Sequence, residues 1–273
     1  MASLLVHRYR SEVANTPVNA YLIEGSDGIV GVDATLTVTG GLGVRALADA
    51  LGKPLLGVVL THAHPDHYGG LVELVAGRDV PVFATERVHE VIRRDDPVKE
   101  QILRPMIGDE WPAERAFPTD VVKDGETIEL GDIALTVTDL GPSESPADSI
   151  WTLTREPQRV FSADIAYDRT HCYLADGFYE PWLASIRRLR EELAPATTLH
   201  PGHGDPSGLE VLDWQERYIE TMLGAVRDAD WHDPQAARAS VIATMRTWLP
   251  SDQLAFLMEL SVQPLAGRLG VAA

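Results

Sequence analysis

The sequence predicts an α/β protein that ends in a run of helices. Three observations carry this. Short apolar runs rich in branched residues, bounded by Gly and Asp turns, read as strands. They occur in two halves, roughly residues 1–117 and 118–207, each with strands first and a helix later, which is compatible with a pseudo-repeat of little sequence identity. After residue 207 only helical spacing remains.

The elements follow in order. Residues 4–33 read as a β-meander, with a strand at 18–23, a turn at Gly25-Ser26-Asp27-Gly28 and a return strand at 29–33. Gly40-Gly41-Leu42-Gly43 is expected to break the chain, and residues 44–51 to form a helix closed by Gly52. A buried strand at 55–60 leads to Thr61, and a short helix at 71–76 follows two glycines. Residues 80–84 read as another strand, placed at an edge or strand start by Pro81. Thr85 can cap a helix to about Arg94. Residues 95–118, punctuated by Pro97, Pro105 and Pro112, read as a long connection that overhangs the site and shapes substrate choice, or else as a flap packed for stability. Strands resume at 120–122, 127–130 and 133–138. Trp182, Ile186, Leu189 and Leu193 form the core stripe of a helix over 178–193. Helices are expected over 209–226, from Asp233-Pro234 to Trp248, and after Ser251.

The 273 residues suffice for one large domain or two small ones, and 45% of them are hydrophobic. No apolar run approaches the roughly 18 residues of a membrane span, so no membrane partner is expected. The start, Met1 to Arg8, has an apolar patch too short for a secretory signal. The single cysteine, Cys172, excludes an internal disulfide and suits a reducing cytoplasm. A net charge of −18 repels polyanions, so nucleic acid is not an expected partner and a small molecule is.

The chemistry concentrates after Thr61. His62, His64, Asp66 and His67 place three imidazoles and a carboxylate within six residues at a strand end. His62 and His64 point the same way in extended backbone. Such a set suits zinc, and also iron or manganese. No Gly-x-Ser-x-Gly elbow competes as a serine nucleophile, and Cys172 has no convincing base beside it.

His62-x-His64-x-Asp66-His67, its preceding strand, Thr61 and Gly69-Gly70-Leu71 resemble the HxHxDH signature of the metallo-β-lactamase superfamily. The resemblance extends over about residues 14–207 and includes the Asn19-x-Tyr21-Leu22 strand and the second strand ending at Asp33. It implies a four-layer αβ/βα sandwich over residues 1–207, with residues 208–273 as a helical extension packed on it. That extension is expected to buttress the core, with cover of the pocket or a homodimer contact as alternatives. The resemblance also implies two divalent ions with ligands from later strand ends. Phe161-Ser162-Ala163-Asp164 places Asp164 as the bridging aspartate, and Pro201-Gly202-His203-Gly204 places His203 as the last ligand. His200 is read as a support behind the ligands, and Asp33 as either orienting a ligand loop or capping its strand.

One motif departs from the family. Relatives read Pro-Gly-His-Thr-Pro-Gly-His-Ser where this chain reads Pro142-Ser143-Glu144-Ser145-Pro146-Ala147-Asp148-Ser149. Glu144 therefore takes the third histidine's place, and Asp148 is a second ligand candidate or a partner behind it. The expected sites are His62, His64 and Glu144; Asp66, His67 and His203; and Asp164 between them. The added carboxylate should improve tolerance of manganese or iron, with zinc expected from the resemblance.

Two ions sharing a water would provide a hydroxide nucleophile near neutral pH, and Asp66 would orient it or protonate the leaving group. Tyr167, His171 and Tyr173, just after Asp164, are candidate substrate contacts or else part of a packed loop. The implied activity is hydrolysis of a small ester, lactone, thioester or amide. Phosphodiester cleavage, diiron redox chemistry and a catalytically weak metal scaffold are the alternatives. The acidic charge opposes the first. Flavodiiron proteins, the model for the second, carry their glutamate where this chain has His64. The short apolar start argues against an exported antibiotic-resistance enzyme.

Overall fold

A computed structural model describes residues 4–271, so Met1 to Ser3 of the apolar start lie outside the described residues. Six strands, β1 (Leu5–Ser11), β2 (Val18–Glu24), β3 (Ile29–Val32), β4 (Leu55–Val59), β5 (Val82–Thr85) and β6 (Asp120–Val122), lie side by side in that order. Five more, β7 (Thr127–Leu130), β8 (Ile133–Gly141), β9 (Asp148–Leu153), β10 (Arg159–Ala163) and β11 (Thr198–Pro201), form a second sheet, also in chain order. β1 to β3 are antiparallel and β3 to β6 parallel, whereas in the second sheet only β10 and β11 are parallel.

Alternation along the strands sorts side chains into layers. In β2, Tyr21 and Ile23 face the second sheet, where they meet Val137, Trp151 and Phe161. Ala20 and Leu22 face the other way, onto α1 (Val38–Ala50), α2 (Pro65–Tyr68), α3 (Leu71–Val75) and α4 (Glu86–Ile107). The outer face of the second sheet, with Ile150, Val160 and Leu199, packs on α5 (Tyr179–Glu192), α6 (Glu210–Asp228), α7 (Pro234–Trp248) and α8 (Ala255–Arg268). The result is the expected helix–sheet–sheet–helix sandwich. Trp111, Trp151 and Trp182 are fully buried, one in each core cluster. Truncating such a side chain to Ala typically costs about 3–5 kcal/mol. Among the described residues no helix is long and apolar enough to cross a membrane.

Three boundaries differ from the sequence expectation. Gly40, Gly41 and Gly43 lie inside α1 instead of breaking the chain. A Cβ on Gly41 would fall on the Gly70 carbonyl, so glycine here serves close approach of α1 to the turn before α3. The helix begun at Thr85, whose hydroxyl accepts from Val88 N, does not stop near Arg94 but runs to Ile107 through Pro97 and Pro105. Both prolines face solvent, where water can satisfy the carbonyls they free, while Val88, Val91, Ile92 and Asp96 hold the inner face. Finally, the halves do not divide at 117/118, because β6 pairs in parallel with β5 and completes the first sheet.

Candidate metal centre

Strand ends along one edge of the sandwich deliver every donor. β4 runs into His62 and His64, and α2 carries Asp66 and His67. The β8–β9 connection supplies Glu144, β10 ends before Asp164, and β11 before His203. Two backbones there are strained: Asp33 and Ala163 hold φ of 58° and 42°, left-handed values that side-chain-bearing residues avoid. The second turns Asp164 inward. Gly202 must be glycine, since a Cβ would meet the Asp164 carboxylate and, at 2.6 Å, the His67 ring.

The seven predicted donors come together. His62, His64 and Glu144 form one group, Asp66, His67 and His203 another, and His62, His67 and Asp164 a third that links them. His64 Nδ1 lies 2.8 Å from Glu144 Oε2, and His62 Nε2 lies 3.8 Å from it. Asp164 stands 3.4 Å from His67 Nε2 through Oδ1, and 3.2 Å from His203 Nε2 through Oδ2. Asp66 Oδ2 is 3.3 Å from His203 Nε2. Bonds of about 2.0–2.1 Å to a tetrahedral ion put neighbouring ligand atoms roughly 3.4 Å apart, and most of these separations lie near that edge. His62 Nε2, His67 Nε2, His203 Nε2, Glu144 Oε2 and Asp164 Oδ1 are buried and make no well-aligned hydrogen bond, only close contacts within the donor set. Orphaned buried acceptors are costly, and here they share one focus. The residues fit a pair of divalent ions.

Behind the donors, hydrogen bonds select which nitrogen faces inward. Asp33 Oδ1 accepts from Thr61 N at 2.9 Å, and its Oδ2 accepts from Thr61 Oγ1 and from His67 Nδ1, both at 2.8 Å. Thr61 Oγ1 in turn accepts from His62 Nδ1 at 3.1 Å. One carboxylate thus sets two imidazoles with Nε2 inward. His203 Nδ1 donates to the Pro17 carbonyl at 2.5 Å. His64 is reversed, with Nε2 held by Asp176 Oδ2 at 3.0 Å and Nδ1 inward. Asp176 was not anticipated. Asn19 Nδ2, at 3.0 and 2.8 Å, and Tyr21 Oη, at 2.7 Å, hold the His203 loop through its Pro201 and Gly204 carbonyls.

The charges follow from burial and neighbours. Burial and the adjacent His67 hold His62 well below the usual imidazole range. Burial opposes charge on His64 as well, but the Glu144 and Asp176 carboxylates prevail and hold it up. The same contest with Asp164 and Asp66 leaves His203 pushed up to about 10. Burial pushes the Glu144 carboxyl up to about 7.

The other predicted residues divide. Asp148 joins none of the donor groups. Its Oδ2 accepts from Ser143 N, Ser145 N and Ser145 Oγ, at 3.1, 2.8 and 3.1 Å, so it staples the loop that presents Glu144. His200 stacks on Phe161 at 5.0 Å, outside the donor groups, and burial with Arg159 and Arg8 nearby pushes it down to about 4. Tyr167 and Tyr173 line the cavity above the donors. Tyr167 Oη lies 2.7 Å from Asp164 Oδ2 and 3.0 Å from Glu144 Oε1. His171 does not line it: its Nδ1 meets Tyr218 Oη at 2.9 Å and its Nε2 the Ser251 carbonyl at 3.1 Å, so it ties the loop to the C-terminal helices.

The cavity, about 230 Å³, opens over His64, Asp66 and Asp164. One wall is α4, through Lys99, Ile102, Leu103, Met106 and Ile107, and another is α8, through Phe256, Leu257 and Leu260. Of residues 95–118, the part that overhangs the site is Lys99 to Ile107, and it is helix and not loop; residues 108–118 do not line the cavity. Lys99 is the one Lys or Arg among the described lining residues.

Residues 13–203 match the family model of the metallo-β-lactamase superfamily. The chain is 30% identical to an acyl-coenzyme A thioesterase MBLAC2 of Gallus gallus, over 71% of this chain and 75% of that protein. It is 28% identical to a hydroxyacylglutathione hydrolase of Bdellovibrio bacteriovorus, over 55% of this chain, and spans about half (49%) of that relative. Among solved structures, a metallo-β-lactamase family protein of Thermus thermophilus shares the fold, with a TM-score of 0.68 at 21% identity, covering 98% of this chain and 94% of its own.

Proposed function

This chain belongs to the metallo-β-lactamase superfamily, whose hydrolase chemistry its donor set fits; from that premise we propose a metal-dependent hydrolase with a binuclear centre, zinc as its metal, and a small-molecule thioester or ester as substrate. The observation that carries it is the convergence of five buried donor atoms without a well-aligned hydrogen bond, beside an open cavity that His64, Asp66 and Asp164 line. His62, His64 and Glu144 would hold one ion, Asp66, His67 and His203 the other, with Asp164 between them. Such ions supply Lewis acidity, which polarises a carbonyl and lowers the pKa of water from 15.7 toward about 7.

The chain's own residues do the rest. Asp66 is the most exposed of the ligand carboxylates and lines the cavity, so it can orient an incoming water and carry a proton to the leaving group. Tyr167 stacks on His203 at 4.9 Å and points its hydroxyl at Asp164 and Glu144, which keeps both carboxylates directed inward. Asp33 and Asp176 keep the imidazoles in ligating register. The acyl-coenzyme A thioesterases among the relatives support a thioester.

The test is elemental analysis of protein purified without added metal, followed by a panel of thioesters, esters, lactones, amides and phosphodiesters. Near two equivalents of zinc, with thioester or ester turnover, is the expected result. A single equivalent that persists after reconstitution would remove the binuclear centre. Turnover confined to phosphodiesters would remove the substrate class.

A further inference from the structure

We infer that the substrate carries an apolar acyl group of medium length, bedded between α4 and α8, with its carbonyl at the metal end of the cavity. The inference rests on the hydrolase reading and deepens it. Ile102, Leu103 and Met106 on α4 face Phe256, Leu257 and Leu260 on α8 across one cavity. Ile102, Met106 and Leu260 remain half or more exposed, at 50%, 64% and 55%. Single exposed aliphatic side chains are ordinary. Three of them lining one cavity form an apolar surface left open on the side where substrate must enter.

Continuity with the metal site identifies the occupant. The same cavity that these side chains line has His64 and Asp66 in its wall, so whatever fills it is attached to the group being cleaved. Its volume of about 230 Å³ holds roughly eight water-sized groups. That suits a chain of about that many carbons and is too small for a folded partner. The three exposed side chains, Ile102, Met106 and Leu260, present no hydrogen-bond donor, so this part of the wall takes an apolar group and offers nothing to a polar substituent. Lys99, one turn before Ile102 and Leu103 on the same helix, is the one Lys or Arg among the described lining residues, and a negative group on the leaving half could meet it there.

The experiment uses the metal-loaded protein and a series of N-acetylcysteamine thioesters from acetyl to hexadecanoyl, with octanoate and acetate binding measured separately by calorimetry. Full burial would raise kcat/KM roughly four-fold per methylene. In this open cavity a rise on the order of 100-fold from acetyl to octanoyl is expected, carried mainly by KM, with no further gain in the longest chains. In Leu260→Asp, and independently in Met106→Asp, the octanoyl-to-acetyl ratio should collapse toward one. Both positions are exposed, and an unchanged melting temperature establishes that each variant folds. Equal efficiency for acetyl and octanoyl, with no preference for octanoate over acetate, overturns the inference and leaves the hydrolase reading intact. If no thioester turns over, yet octanoate binds the parent protein and not the variants, the subsite stands and the hydrolase reading falls.

Discussion

Glu144 puts a carboxylate where an imidazole is usual, and it lies 2.8 Å from His64 Nδ1 and 3.8 Å from His62 Nε2. Glu144→Ala removes one of three donors from that group, so metal content after dialysis should fall from about two equivalents to about one, read by elemental analysis. Retention of two would show that Glu144 is not a ligand. Asp176→Asn removes the charge that keeps His64 turned with Nδ1 inward. Loss of such a partner typically costs 10–100-fold in metal affinity, which competition with a chromophoric chelator would measure, and weakening confined to one of two ions is the expected pattern. The seven donors were legible because each sits in a short motif at a strand end, where backbone direction fixes where a side chain can go. Asp176 was not legible: it lies 112 residues from His64 in an irregular segment, and nothing local marks it. His171 misled for a related reason. Nearness to Asp164 in the chain does not set side-chain direction in a loop without a period, and the ring turns to Tyr218 and Ser251 instead.

At the scale of elements, α4 decides how the cavity is walled. Pro97 made the sequence read as a loop, but a proline on the solvent side of a helix removes a bond that water replaces. The inner face is anchored by ionic contacts the sequence does not reveal. Arg115 reaches Asp96 at 3.1 Å and Glu100 at 2.9 Å, and Trp111 Nε1 donates to Glu100 at 2.7 Å. Tyr68, from the helix that also carries His67, donates to the same Asp96 at 3.2 Å. Arg115→Ala therefore leaves Asp96 as a buried, unpaired charge, and should destabilise by about 3 kcal/mol, read from denaturant midpoints. It should also raise KM for long acyl chains more than for short ones, because the wall loosens. A variant as stable as the parent would mean that the apolar face alone seats α4. The glycines of α1 teach the same point, since the pattern marks a break where close packing on Gly70 is the reason.

At the scale of the whole molecule, the layers were readable because the family's motifs come in order and the inner strands read as continuous apolar runs, buried on both faces. The division between the sheets was not, because β6 adds in parallel to β5 across a long excursion and carries no signal of which sheet it joins. Asp66, Glu144 and Asp164 are three carboxylates gathered around nitrogens without a well-aligned hydrogen bond, so the centre without its ions should be a weak point. Chelation should lower the melting temperature, and restoring zinc at a thousand-fold excess over its dissociation constant should return about 4 kcal/mol. An unchanged melting temperature would mean that the donors are satisfied without metal.

The donors also come from both sides of the sandwich. His62, His64, Asp66 and His67 follow the first sheet, and Glu144, Asp164 and His203 the second. Neither half of the chain, made alone, contains a complete pair of sites. The ions therefore cannot template an early stage of folding, since contacts so distant in sequence close last. During synthesis the proposed pair of sites is complete only once β11 has docked and His203 has arrived, so a product truncated before β11 lacks a donor of the Asp66, His67 and His203 group.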